Sequence, residues 1–345
     1  MDDSPTTVLP APWMTRVLVA NVVAQIGIVV TGGLVRLTGS GLGCPTWPEC
    51  VPGSFVPVAE QAEGFSKVIE FGNRLLTGVV GLTALTALVV TVLLVRSGRS
   101  RRLLGLGGLP LLLVVAQAVI GGITVLTQLH PVTVAVHFVV SMGLVAVSVL
   151  LLERLGRPDG PAVPVVRPEV RGLAAAAAVV AVVVLALGTV VTGSGPHSGD
   201  ADTPARFGFD PRSVSWMHAD SVMLFIGLVI GLVVVLHAVD SPDLLRRRAH
   251  MLLGVTLAQG LVGAVQYLTG LPEALVLAHM LGAALLVVAL TLLLVSLWER
   301  TPQTSSASSR AARVAPSDST GRYETSRVSS EAIATAKASG SHASS

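Results

Sequence analysis

Apolar residues in this chain cluster in long uninterrupted runs, with the charged residues gathered between them. A helix needs about 20 predominantly apolar residues to cross the hydrocarbon core of a bilayer. Eight such runs can be placed, roughly Thr15–Arg36, Ile69–Val95, Leu103–Leu126, Val132–Leu152, Gly172–Val191, Val214–Val239, Met251–Leu268 and Ala274–Trp298. The pattern predicts an all-α integral membrane protein. The first run is too long, and its leader too acidic (Asp2, Asp3), for a cleaved signal peptide, so it is expected to stay as a helix. From Glu299 onward the chain turns to Ser, Ala and Thr, a composition that cannot bury a core and predicts a disordered tail over 299–345.

Composition agrees with the pattern. Of the 345 residues, 52% are hydrophobic and 12% charged, and the mean hydropathy is +0.75; an ordinary soluble domain carries roughly 25% charge. The net charge of +3 does not indicate a nucleic-acid partner, because the basic residues lie in short clusters between the runs. Arg96, Arg99, Arg101 and Arg102 follow the second run, Arg154, Arg157, Arg167 and Arg171 the fourth, and Arg246, Arg247 and Arg248 the sixth. The alternate loops hold fewer, with Lys67, Arg206 and Arg212. The positive-inside bias places both termini in the cytoplasm, with residues 1–14 as a cytoplasmic N-terminus and 153–171 as a cytoplasmic linker. The two cysteines, Cys44 and Cys50 in GLGCPTWPECVPG, then fall in an outer loop, where a disulfide would persist; free thiols are the alternative.

The runs repeat. AQAVIGGITVLTQLHPVTVAVH, ending at His137, lies without a gap on AQGLVGAVQYLTGLPEALVLAH, ending at His279, at a constant offset of 142. Gln117 meets Gln259, Gly121 meets Gly263, and Thr38-Gly39-Ser40-Gly41 recurs as Thr192-Gly193-Ser194-Gly195. This predicts two tandem four-helix bundles in the same orientation, over 15–152 and 172–298. Near the outer end of each even-numbered helix stands one polar position: Asn73, His137, His218 and His279.

An ionisable or ligating side chain within a membrane span needs a partner, a metal or a water path. His218 and His279 project from neighbouring helices at similar depth, and inward-facing histidines in a helical bundle suit a b-type haem, because neutral imidazole ligates iron. The plainer alternative is that each only bonds a neighbouring helix. The first half has His137 but Asn73 where the repeat asks for histidine. It adds Glu70, one turn from Asn73, where the second half has Ser215. Glu70 pairs with Arg74 or Lys67, or serves a site. His130 and His197 fall in outer loops, His237 and His250 toward the cytoplasmic side, and His342 in the tail.

The LTGSGLGCPTWPEC loop, the IEFGNR start of the second helix, the VVTGSGPHSGD turn and the placed histidines together resemble the haem A synthase family, over roughly Thr15 to Arg300. That resemblance implies an enzyme of the plasma membrane that oxidises the C8 methyl of haem O to a formyl group by successive hydroxylations, giving haem A for terminal oxidases. It implies haem b held by His218 and His279 in the C-terminal half. Haem O as substrate is implied on His137 in the N-terminal half, with Asn73 at the matching position in place of the family's histidine. Glu70 is implied as the catalytic carboxylate, Cys44–Cys50 as an outer disulfide, and both haem sites lie toward the outer face. Partners implied are membrane lipid, an electron donor or acceptor, haem O synthase and oxidase assembly factors. Two other readings of the same residues are a b-type cytochrome that only passes electrons and a haem carrier.

Overall fold

Four of the eight long helices open on a proline at the first helical turn, where the missing N–H is not needed and the fixed φ favours the helix. In the computed structural model, which describes residues 8–197, 199–200 and 205–301, the helices are α1 (Pro12–Leu37), α2 (Ser66–Arg96), α3 (Leu103–Leu126), α4 (Pro131–Leu155), α5 (Pro168–Ser194), α6 (Pro211–Ala238), α7 (Asp243–Leu268) and α8 (Glu273–Ser296). All eight are long and apolar enough to cross a membrane, so the chain is an all-α, multi-pass membrane protein. Their large exposed side chains, among them Val79, Leu112, Val179 and Leu261, are those expected to face lipid.

Each half closes on itself. In the first, α1 packs on α2 and α4, and α3 on α2 and α4; in the second, α5 packs on α6 and α8, and α7 on α6 and α8. The halves meet where α8 lies against α1 and α4, around Val29, Met142, Val145, Ala284 and Val287. Lipid tails are as apolar as leucine, so tight packing rather than hydrophobic exclusion must hold such helices together. Small residues make this possible: Ala174, Ala177 and Ala181 form a fully packed stripe on α5, and Gly107 of α3 lies so close to α2 that a Cβ there would meet Thr91 at 2.6 Å.

The repeat is visible bond for bond in the α3–α4 and α7–α8 turns. In the α3–α4 turn Gln128 and Leu129 take positive φ (52° and 55°), and in the α7–α8 turn Gly270 and Leu271 do so (80° and 63°). The Leu129 N–H bonds the Thr124 carbonyl at 2.9 Å, and the Leu271 N–H bonds Gln266 at 2.7 Å, 142 residues later. A left-handed residue other than glycine costs roughly 1–2 kcal/mol. The turn therefore keeps its shape in the first half even without glycine.

The opposite ends of the helices hold two features the sequence pattern did not suggest. A short antiparallel pair, β1 (Ala162–Pro164) and β2 (Trp298–Arg300), joins the linker to the end of α8, so Glu299 and Arg300 belong to the folded unit and not to the tail. Arg157 fixes the crossing by donating to the Val295 and Trp298 carbonyls, and Arg171 stacks over the Trp298 ring at 4.8 Å. Second, the arginines expected only to mark orientation are built into ion pairs. Arg99 and Arg154 both hold Asp159 (2.9 and 2.8 Å), while Glu153 bridges Arg157 and Arg248 (3.0 and 2.8 Å), tying α4 to α7. The tail over 302–345, with His342, lies outside the described residues, as does the start of the chain over 1–7.

Candidate functional site

The loop between α1 and α2 is anchored almost residue by residue over the end of the first half where α2 begins. Cys44 and Cys50 are bonded, with Cα atoms 4.3 Å apart, and both are fully buried. Gly43 sits against the start of α2, where a Cβ would meet the Ser66 carbonyl oxygen at 2.4 Å. The Trp47 ring lies flat on α3 at Gly122, where a Cβ would come within 2.3 Å of it. Gln61 donates to the Gly43 carbonyl. Lys67 donates to the Val58 and Ala59 carbonyls, so it is not the partner of Glu70.

Glu70 is buried at the top of α2 and fully engaged. One carboxylate oxygen accepts from the Cys44 N–H at 2.7 Å; the other accepts from Arg74, at 3.0 Å from Nε and 2.6 Å from Nη2. Arg74 in turn donates to the Cys44, Thr46 and Glu49 carbonyls. An ion pair one helical turn apart thus pins the disulfide loop to α2. Among the described residues no hydrogen bond joins Glu70 to Asn73 or His137.

The three histidines share one construction. His137 on α4 rests its Cε1 edge against Gly121 of α3, His218 on α6 against Gly188 of α5, and His279 on α8 against Gly263 of α7. A Cβ on those glycines would lie 3.3, 3.3 and 3.0 Å from the ring. In each case Nδ1 is buried with no hydrogen-bond partner among the described residues. Gln117 and Gln259, the matched pair of the repeat, donate to the backbone carbonyls of His137 (2.9 Å) and His279 (2.8 Å). His218 and His279 stand on α6 and α8, both in the second bundle. Asn73 is different: its Oδ1 accepts from the Thr31 hydroxyl of α1 at 2.8 Å, so its carbonyl oxygen is already engaged within the protein.

A family profile described as cytochrome oxidase assembly protein (COX15-CtaA) matches residues 15–198, more than half of the chain. The chain belongs to the cytochrome oxidase assembly protein family. Curated relatives include the "Heme A synthase" of Lysinibacillus sphaericus, 36% identical over 138 residues, 40% of this chain and 43% of that protein. That of Shouchella clausii is 31% identical over 143 residues (40% and 45%), and that of Exiguobacterium sibiricum 28% over 142 residues (40% and 46%). These matches span less than half the length of each relative.

Within this family member, the matched span takes in Glu70, Asn73, His137 and the disulfide loop, while His218 and His279 lie beyond it. The donor set fits a haem. Three half-buried imidazoles each have a buried Nδ1 without a partner and a glycine cleft beside the ring, and no trio of His, Cys, Asp or Glu gathers at one point among the described residues. A porphyrin supplies four iron ligands of its own and asks the protein for only one or two. Sequence reasoning missed the role of Trp47, of the three glycines, and of Arg36, which donates to the Thr192 and His197 carbonyls (2.9 and 2.5 Å) and ties α1 to the second half. The gapless repeat already held the signal for Gly121, Gly263 and the two glutamines. His130 caps α4 by accepting from the Val132 N–H at 3.3 Å. His237 and His250 pack edge to face, 5.0 Å apart, at the α6–α7 end, and each bonds a carbonyl of its own helix.

Proposed function

We propose that the chain is a haem A synthase of the plasma membrane, oxidising haem O to haem A for terminal oxidases. The N-terminal half would act on substrate and the C-terminal half would hold haem b. The observation that carries this reading is the asymmetry within one construction: three glycine-backed, orphaned imidazoles and a fourth position closed by the Thr31–Asn73 hydrogen bond. In this reading His218 and His279 would hold haem b, which when bound would supply electron relay. Each ring is set by its glycine, and Gln259 fixes the backbone of His279. His137 binds the substrate iron from one side. Asn73, a poor iron ligand, leaves the other side weakly held, which suits a group that must leave. Both termini are cytoplasmic and both sites lie toward the outer face, the orientation that also exposes the Cys44–Cys50 loop to an oxidising compartment.

The substrate's C8 methyl is hydroxylated twice, each step a two-electron oxidation whose electrons pass to an external oxidant (dioxygen or an electron acceptor), and loss of water from the gem-diol leaves the formyl group. Glu70 is the proton-handling carboxylate in this scheme, lying one turn from Asn73. A second reading of Glu70 is favoured by its own bonds: with both oxygens held by Arg74 and the Cys44 N–H, its role is to clamp the loop over the site. Incubating purified protein with haem O and a reductant, then analysing the porphyrins by mass spectrometry, tests the function. Hydroxylated intermediate and haem A are expected, and unchanged haem O would leave an electron-passing cytochrome or a carrier. Glu70→Gln separates its two roles. It stalls product formation with the disulfide loop still protected from proteolysis if the carboxylate handles protons, and loosens the loop if it is the clamp.

A further inference from the structure

Two histidines stand apart from the glycine-backed three, at the end of the second half where α6 turns into α7. Both helices are long and apolar enough to span a membrane, and only residues 239–242 join them. The turn therefore lies at the level of the lipid headgroups. His237 and His250 meet there edge to face, with 5.0 Å between ring centroids. Together with Asp243, Arg246 and Arg247 they line an open cavity of about 350 Å³, the size of a small-ligand pocket.

What these groups already bond decides what they have left to offer. Each imidazole holds Nδ1 at 2.8 Å from a carbonyl four residues earlier in its own helix, Val233 for His237 and Arg246 for His250. A carbonyl only accepts, so Nδ1 carries the proton, and the neutral ring keeps Nε2 as an open acceptor. Arg246 donates to Asp243 and, at 2.7 Å, to the Ser241 carbonyl. Arg247 has no hydrogen bond or ion pair among the described residues. Arg248, next in the chain, is by contrast spent on the Leu292 carbonyl, Ser296 and Glu153. Two guanidinium groups against one paired carboxylate favour an anion over a metal ion, and no metal-holding trio forms among the described residues. Toward the middle of the membrane the same helix faces continue as exposed apolar side chains, Val234 and Ile230 on α6 and Leu257 on α7, with open space beside Gly254. The bundle itself does not need the polar groups. At the repeat offset of 142, Arg246, Arg247 and His250 fall on Leu104, Gly105 and Gly108. In the register that sets His218 on Asn73, His237 falls on Val92.

We propose that this cavity is the headgroup site of an anionic phospholipid whose headgroup carries free hydroxyls, as that of phosphatidylglycerol does. Arg247, with Arg246 beside it, holds the phosphate, for which a guanidinium is well shaped. The headgroup hydroxyls donate to the two Nε2 acceptors, and an acyl chain lies along Ile230, Val234 and Leu257. Asp243 stays paired with Arg246. Basic pockets between spans at a membrane surface attract anionic headgroups. An anionic lipid without hydroxyls leaves the Nε2 acceptors unanswered, and free phosphate leaves the apolar strip bare. The site is independent of the haem chemistry above.

The full chain in detergent, titrated with single lipids and read by native mass spectrometry, tests this. The probes are phosphatidylglycerol, phosphatidylmethanol (the same phosphodiester charge without the hydroxyls) and phosphatidylcholine. The parent protein should bind them in that order of affinity. Arg247→Gln should weaken both anionic lipids roughly fivefold. His237→Phe combined with His250→Phe should bring phosphatidylglycerol down to the level of phosphatidylmethanol, whose own affinity is unchanged. Circular dichroism checks that each variant is folded, and where one is not, the ranking by the parent protein decides. Equal binding of the two anionic lipids by the parent overturns the site, as does a folded Arg247→Gln or histidine variant that keeps the parent's preferences. Occupation by inorganic phosphate with no preference among the lipids overturns it as well.

Discussion

Gly263 lies so close to His279 that a Cβ there would stand 3.0 Å from the imidazole, tighter than ordinary van der Waals contact. In a solvated helix, glycine to alanine gains about 1 kcal/mol; here the added methyl would move the ring. Gly263→Ala is therefore expected to lower the b-haem content of purified protein. Gly254→Ala, on the same helix with open space around it, should leave haem content unchanged. Absorption spectra normalised to protein concentration make the comparison, and equal haem in both variants would show that the glycine does not set the ring. At this scale the sequence yielded the histidines through the repeat, because a polar residue in an apolar run stands out. It did not reveal what lies beside them, since a helical glycine has the same appearance whether it faces a ring or lipid. Asn73 stood out as an exception, but its satisfaction by Thr31 depends on how α1 and α2 are registered, which no local pattern encodes.

Among the elements, the disulfide loop and the Asp159 ion-pair cluster are held by different physics. The Cys44–Cys50 bond closes a short loop, six residues in separation, so it contributes on the order of 2–3 kcal/mol. The many backbone contacts to Arg74, Glu70 and Gln61 spread the rest of the anchoring. Protein taken from membranes should resist thiol labelling until reduced, and full labelling beforehand would contradict the bond. In the linker after α4, burial pushes the Asp159 carboxyl up, but hydrogen bonds from Arg99, the Ser100 N–H and Arg154 outweigh it and hold the group down at about 2. A carboxylate whose folded value lies below its ordinary value of about 3.9 stabilises fully above that value. The contribution is lost as pH falls toward 2. Asp159→Asn should cost on the order of 2–3 kcal/mol near neutral pH. The gap between variant and parent melting temperatures should stay constant from pH 8 to 5 and narrow below about pH 4. A gap that narrows already at pH 6 would mean another group controls it. Helix positions were legible from the apolar runs to within about four residues, except that α7 starts at Asp243, eight residues before the run at Met251, because its first turns carry Arg246, Arg247 and Arg248 and are not apolar. The β1–β2 pair was not, because three-residue strands carry too little periodicity, and Glu299 reads as the first residue of a polar tail.

At the scale of the whole molecule, one bundle is used twice with different contents. The halves share helix order, the α3–α4 and α7–α8 turns and glycine-backed histidines. They differ at Asn73, Glu70 and the disulfide loop, all of which belong to the first half. That division of labour is the central claim, and b-haem content in paired histidine variants tests it most directly. Spectra of His279→Ala and His137→Ala, purified side by side, should show the low-spin b-haem signal lost in the first and kept in the second. Loss in His137→Ala with retention in His279→Ala would contradict the account by assigning the two halves the other way round.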